Sequence, residues 1–119
     1  MTPGCYDLKL NQGATFVLSF VVDEESFSFD DYNEFRMQIR ESTDSDKVVW
    51  DSNHHYGSLV KTSSSILALT IDAETTAGFE FDNAGYDIEL IKYTSPVVIH
   101  KFLTGKVLLN KEYTKPDVS

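Results

Sequence analysis

The chain has 119 residues, an apolar content of 41% and a formal net charge of −9. That length suits one domain with a two-layer core, which buries roughly two-thirds of the surface of the unfolded chain, and the aromatic-rich composition excludes global disorder. So acidic a surface repels phosphate, which excludes generic binding to nucleic acid or anionic membranes, and the single cysteine, Cys5, excludes an internal disulfide.

Alternation of apolar and polar residues dominates, so strands are expected throughout. Tyr6, Leu8 and Leu10 share one face of a first strand, and Asn11-Gln12-Gly13 turns the chain. Phe16, Leu18, Phe20 and Val22 form the apolar face of a long second strand, whose other face is mixed. Asp23 to Asn33 reads as an acidic, aromatic loop in which Phe27 and Phe29 plug the edge. Phe35, Met37 and Ile39 alternate with Arg36, Gln38 and Arg40 on a third strand. Ser42 to Asp46 is a turn cluster, Lys47 to Asp51 a short return strand, and Ser52 to Gly57 a loop.

Leu59-Val60 opens another short strand, and Leu67, Leu69 and Ile71 alternate along the next. Asp72 to Gly78 is the helical candidate, with Asp72 as N-cap and Gly78 as stop. Tyr86, Ile88 and Leu90 then share a face, and Tyr93 to Pro96 turns. Val97, Ile99, Lys101 and Leu103 oppose Val98, His100 and Phe102, with Gly105 permitting a bend or bulge before Val107 and Leu109. Residues 111–119 read as a tail after one domain spanning 1–110.

Seven to nine short strands with one short helical link predict an all-β, immunoglobulin-like antiparallel β-sandwich. The spacing Asp82, Ala84, Tyr86, Ile88 matches the corner at which such domains enter strand F, with Ile88 in the place of a cystine. Tyr86 is expected to bond backbone upstream and fix the helix-to-strand corner, or else to be an ordinary core tyrosine. Apolar packing of Phe16, Leu18 or Phe20 against Ile88 replaces the crosslink, as a reducing compartment requires.

Chemistry-bearing constellations are sparse. His54, His55 and His100 are the possible bases, and no Gly-x-Ser-x-Gly elbow accompanies them. Cys5 has no basic neighbour to activate it. Adjacent histidines on a strand point to opposite faces, and the acids of Asp23 to Asp31 lack the calcium-loop order, so no metal is expected. Phosphate and dinucleotide fingerprints are absent from the sequence, so neither an enzyme nor a cofactor is expected. The candidate interaction surface comprises Trp50, His54, His55 and Tyr56 with Asp30, Asp31 and Tyr32. Trp50 and Tyr56 either anchor binding, to a protein or to a stacked sugar, or cap the core at a hairpin. From Asp23 to Asp46 there are nine acids against Arg36 and Arg40, whereas from Lys101 to Ser119 four lysines outnumber Glu112 and Asp117. This gradient belongs either to solvated loops or to an acidic end facing a basic end on the next copy in an assembly. Met1 to Leu10 lacks the basic and apolar regions of a secretory leader, so none is expected.

Several strings together resemble small immunoglobulin-like structural proteins of tailed bacteriophages. They are Leu10-Asn11-Gln12-Gly13-Ala14-Thr15-Phe16, Phe35 to Arg40, Leu69 to Ala77, Gly85 to Leu90, Lys101 to Val107 and the late Tyr113-Thr114. Their order covers nearly the whole chain. The proline-bearing link usual before the third strand is replaced here by the acidic Asp23 to Asn33 loop. The resemblance implies a virion component of the tail, neck, baseplate or capsid surface, made in the host cytoplasm. It implies binding to other virion proteins, with symmetric self-association, and no catalytic residues or cofactors. A carbohydrate-binding module using Trp50 and Tyr56 is the alternative.

Overall fold

The structure is a computed structural model and describes residues 3–42 and 47–111. Most of the expected turn at 42–46 and all of the tail beyond Lys111, Tyr113 included, lie outside these residues. The described strands are β1 (Gly4–Cys5), β2 (Leu8–Asn11), β3 (Phe16–Val21), β4 (Glu34–Arg40), β5 (Val48–Asp51), β6 (Leu59–Ser63), β7 (Ile66–Ile71), β8 (Asn83–Lys92) and β9 (Val98–Asn110). The helix α1 (Ala73–Ala77) links β7 to β8. One sheet runs β1–β9–β8–β4–β5, with β2 also on the outer edge of β9, and the other runs β3–β7–β6. The fold is an immunoglobulin-like β-sandwich.

Most pairs are antiparallel, but β1 and β2 run parallel to β9, with Gly4 opposite Leu103 and Asn11 opposite Asn110. Tyr6 falls between the two short strands and is exposed, so it does not share the inward face of Leu8 and Leu10. The cause is local. A Cβ on Gly105 would lie 2.1 Å from the Tyr6 carbonyl oxygen, so the N-terminal chain crosses β9 in direct backbone contact.

The inward positions meet between the sheets. Leu8, Leu10, Met37, Ile39, Leu67, Leu69, Ile71, Ile88, Leu90 and Val107 are buried, and Phe20 packs with them. Full burial of one such side chain stabilises by about 1.5–3 kcal/mol, so this layer supplies the cohesion that a cystine gives elsewhere. Cys5 is exposed and unbonded. Phe29 plugs one end of the core completely, and Phe27 lies against it edge-on at 4.8 Å.

The expected strict alternation of β9 fails at one place. Ile88 pairs with Leu103 and Glu89 with Lys101, which leaves Phe102 as the extra residue of a bulge. Both Phe102 and Leu103 therefore pack on the core. The Phe102 ring meets Phe29 edge-on at 5.4 Å and Phe20 at 6.3 Å.

α1 forms as its ends dictate. The Asp72 carboxylate accepts from the Thr75 amide at 2.7 Å, and Gly78 ends the helix. Inside it, the fully buried Thr76 hydroxyl donates to the Ala14 carbonyl at 2.8 Å and accepts from the Gly13 amide at 3.1 Å. Gly13 holds φ at 83°, the left-handed conformation this turn requires. One helical residue thus clamps the turn between β2 and β3.

The Tyr86 hydroxyl donates to the Tyr6 carbonyl, not to the link leaving α1. The expected helix-to-strand corner is replaced by a tie between β8 and the N-terminal chain. The link itself is held by the buried rings of Phe79 and Phe81, 5.3 Å apart, and by the Leu109 amide donating to the Asp82 carbonyl. The Asp82 side chain is exposed.

Candidate interaction surfaces

The residues expected to form one interaction surface divide into two groups at opposite ends of β7. Phe29, at the start of the short 3-10 turn Phe29–Asp31, bonds through its amide to the Ser64 carbonyl, just before β7 begins. Trp50, His55 and Tyr56 line a cleft with Ile71 and Asp72, where β7 ends. A strand of six residues separates the two by about 20 Å.

At the first end, Asp30 pairs with Lys61, and Asp31 is exposed. Tyr32 is half-buried. Its hydroxyl lies 2.8 Å from His100 Nδ1, and Lys92 Nζ sits 5.1 Å from its ring centroid. Burial, and then the charge of Asp31, raise the Tyr32 pKa. These contacts hold Tyr32 as part of the loop's packing.

At the second end, Trp50 takes the core-capping alternative, being 3% exposed and part of the core, whereas Tyr56 does not. Its inward position is opposite Ile39 on β4, so the same alternation that buries Ile39 buries the indole. The His55 ring stacks on Trp50 at 5.3 Å and 25°. His54 and Tyr56 are exposed. Ser58, which sequence reasoning passed over, is buried in the same cleft. A lone serine in a loop carries no pattern that marks it.

The outer faces of the two sheets differ sharply. On the larger sheet, Arg36 reaches Asp51 at 2.9 Å, and Lys101 reaches Glu89 at 2.6 Å and Asp87 at 3.1 Å. Gln38 and the Asn53 amide also donate to Asp51, at 2.7 Å and 2.9 Å. Burial alone raises the Asp51 pKa, but these hydrogen bonds outweigh it and hold it at about 2. Arg36, Asp51, Asp87, Glu89 and Lys101 thus pair with one another across this face.

On the smaller sheet, the outward row Val17–Thr70, Ser19–Ala68–Val60 and Val21–Ile66 carries no charge. Val17 and Val21 are each 65% exposed. Beside this face, β3 pairs only with β7, so its other edge is unpaired among the described strands. A groove of about 660 Å³ follows that edge, with Phe20, Phe27, Phe102 and Leu103 in its lining and Asp23 and Glu24 at its end. Unpaired amides beside apolar side chains are a template for an added strand. Sequence alternation placed Val17 and Val21 outward but gave no sign that the whole face lacks charge, because that depends on strand order.

No protein-family model matches the chain, and no curated protein matches it. Among the described residues, no helix is long and apolar enough to cross a membrane.

Proposed function

We propose that the chain is a non-enzymatic structural subunit of a tailed-phage particle, which binds neighbouring virion proteins through the smaller sheet. One observation carries this reading: a protein of net charge −9 presents an uncharged outer face with two valines 65% exposed, beside a strand edge that is unpaired among the described residues. A solitary acidic protein gains nothing from such a face, which invites association. A subunit covered by its neighbours loses that liability. The resemblance of the strings around Gln12, Met37, Thr70 and Tyr86 to phage structural proteins supplies the kind of partner.

The test is co-sedimentation. Particles are purified on a density gradient from cells that make the chain together with the products of its neighbouring genes, and fractions are probed for it. The chain is expected in particle fractions, and the double variant Val17→Lys, Val21→Lys is expected to be folded by circular dichroism but absent from them. Wild-type chain confined to the light, unassembled fractions would overturn the assignment. Equal incorporation of the double variant would move the contact to another face.

A further inference from the structure

The backbone of β3 shows which of its groups are free to bind. The Val22 amide donates to the Ser65 carbonyl at 2.9 Å, on the β7 side, and the Thr70 amide donates to the Ser58 carbonyl at 2.7 Å, on the β6 side. Backbone groups of an antiparallel strand alternate between its two neighbours. The pairs Phe16–Ile71, Leu18–Leu69 and Phe20–Leu67 therefore carry the β3–β7 hydrogen bonds, and the amides and carbonyls of Val17, Ser19 and Val21 point to the other edge. No strand pairs with that edge among the described residues. The groove beside it follows Leu18 to Val22, so the edge is open to approach. Natural sheets guard a free edge with charge, proline or a bulge. β3 reads Phe-Val-Leu-Ser-Phe-Val and pairs with β7 without a register shift, so it has none of these guards.

The edge is also complementary to itself. A second β3, antiparallel across a two-fold axis at Ser19, sets Val17 opposite Val21, Ser19 opposite Ser19 and Leu18 opposite Phe20. The residues whose backbone groups are free then face one another, and each such pair exchanges both N–H···O bonds. A register moved by one residue would set Val17 against Phe20, whose groups already face β7. Side chains agree with this register. Val17, Ser19 and Val21 are exposed and uncharged, so valine meets valine and serine meets serine. The acids that give each chain its charge of −9 stay clear of the axis. Asp23 falls opposite Thr15 of the second copy, which leaves the two Asp23 residues about 27 Å apart, well beyond a Debye length of about 8 Å.

We infer that β3 pairs with β3 of a second copy of the chain, joining the two smaller sheets into one continuous sheet about a two-fold axis at Ser19. The uncharged outer faces of both copies become a single surface. This inference goes beyond the virion reading and does not rest on it, since the pairing needs nothing but the chain itself.

The full chain is studied by sedimentation equilibrium under reducing conditions, which keep the exposed Cys5 from cross-linking. A monomer–dimer equilibrium is expected, with a Kd on the order of 10–100 μM, as suits a contact at the small end of protein interfaces. Dimer formation is expected to slow hydrogen exchange at the amides of Val17, Ser19 and Val21, but not at Leu18 and Phe20, which β7 protects in either state. Ser19→Pro removes an amide that β7 does not use, so it is expected to keep its circular dichroism spectrum and lose the dimer. Ser19→Lys and Ser19→Glu are each expected to be monomeric, because like charges face each other at the axis, and a mixture of the two is expected to regain the dimer. If Ser19→Pro fails to fold, the Lys and Glu variants decide alone. Wild-type chain that stays monomeric at roughly 1 mM, tenfold above the weakest expected Kd, overturns the inference and leaves the edge to a strand of another protein. So does a dimer that both charged variants retain, or a mixture of them that stays monomeric. Sedimentation is read without particles, so failure here leaves the co-sedimentation test of the virion reading intact.

Discussion

The hydroxyl of Tyr86 on β8 donates to the carbonyl of Tyr6 at 2.5 Å, joining residues 80 positions apart. Tyr6 lies between β1 and β2, where the strand register is interrupted, so this bond, together with the Tyr6 amide's own bond to the Thr104 carbonyl at 3.0 Å, holds the break against the sheet. Tyr86→Phe keeps the ring and removes the hydroxyl, and it is expected to lower unfolding stability by about 1–2 kcal/mol, read as a lower urea midpoint. An unchanged midpoint would show that the Tyr6 carbonyl is equally well served by water. Burial first, and then the charge of Asp7, raise the Tyr86 pKa far above its ordinary value of 10.0. A raised folded-state pKa gives stability that is intact below the unfolded value of about 10 and declines as pH rises above it. Wild-type stability is therefore expected to fall above pH ~10 more steeply than that of Tyr86→Phe.

Gly105→Ala tests the same crossing from the other strand. The added Cβ meets the Tyr6 carbonyl oxygen at 2.1 Å and its carbon at 2.8 Å, both backbone atoms that cannot rotate away. The N-terminal chain must lift from β9. Destabilisation of about 2–4 kcal/mol is expected, with faster hydrogen exchange confined to β1, β2 and the facing part of β9. A melting temperature within a degree of wild type would contradict the close crossing.

Asp51 governs the acid limb. Its carboxylate takes hydrogen bonds from Arg36, Gln38 and Asn53, and its pKa is held at about 2. A depressed folded-state pKa gives stability that is present above the unfolded value of about 3.9 and is lost as pH falls through the folded one. Arg36 is 38% exposed, so solvent screening trims the contribution to about 1–2 kcal/mol. Asp51→Asn is expected to lose that amount at pH 7 and to show a shallower decline between pH ~4 and ~2 in acid titrations followed by circular dichroism. Parallel acid limbs for the two proteins would rule Asp51 out as the source.

Thr76→Val preserves shape and deletes the hydroxyl that bridges Ala14 and Gly13. The Gly13 amide and Ala14 carbonyl then compete for water at the edge of a packed core. A loss of about 1–3 kcal/mol is expected, together with faster exchange of the Gly13 amide measured by NMR. Equal exchange in both proteins would show that the β2–β3 turn stands without the helix.

Much of the fold was legible because period-two burial writes itself into sequence. Phe35, Met37 and Ile39 against Arg36, Gln38 and Arg40 predict β4, and its face, without ambiguity. Asp72 and Gly78 mark α1 because capping depends on nearest neighbours alone. The bulge at Phe102 was not legible, since nothing in Phe102-Leu103-Thr104 distinguishes a slipped register from a regular one. The parallel course of β1 and β2 depends on which edge is free once β9 has formed. Trp50 was left between binding anchor and core cap for a related reason: the short strand Val48–Asp51 was legible, but which of its faces turns inward depends on its pairing with β4, which sets Trp50 opposite Ile39. Ser58 and the uncharged face of β3, β7 and β6 arise only when distant segments are brought side by side.

The parallel course of β2 along β9 also sets how the protein bears load. Leu8 to Asn11 run beside Val107 to Asn110 in the same direction, so the chain enters this seam at one end and leaves it at the other. Tension applied through the two termini acts along the seam and strains its hydrogen bonds together, instead of peeling them one after another. Rupture then requires the whole row to slide at once, a mechanical toughness that depends on strand direction more than on overall stability.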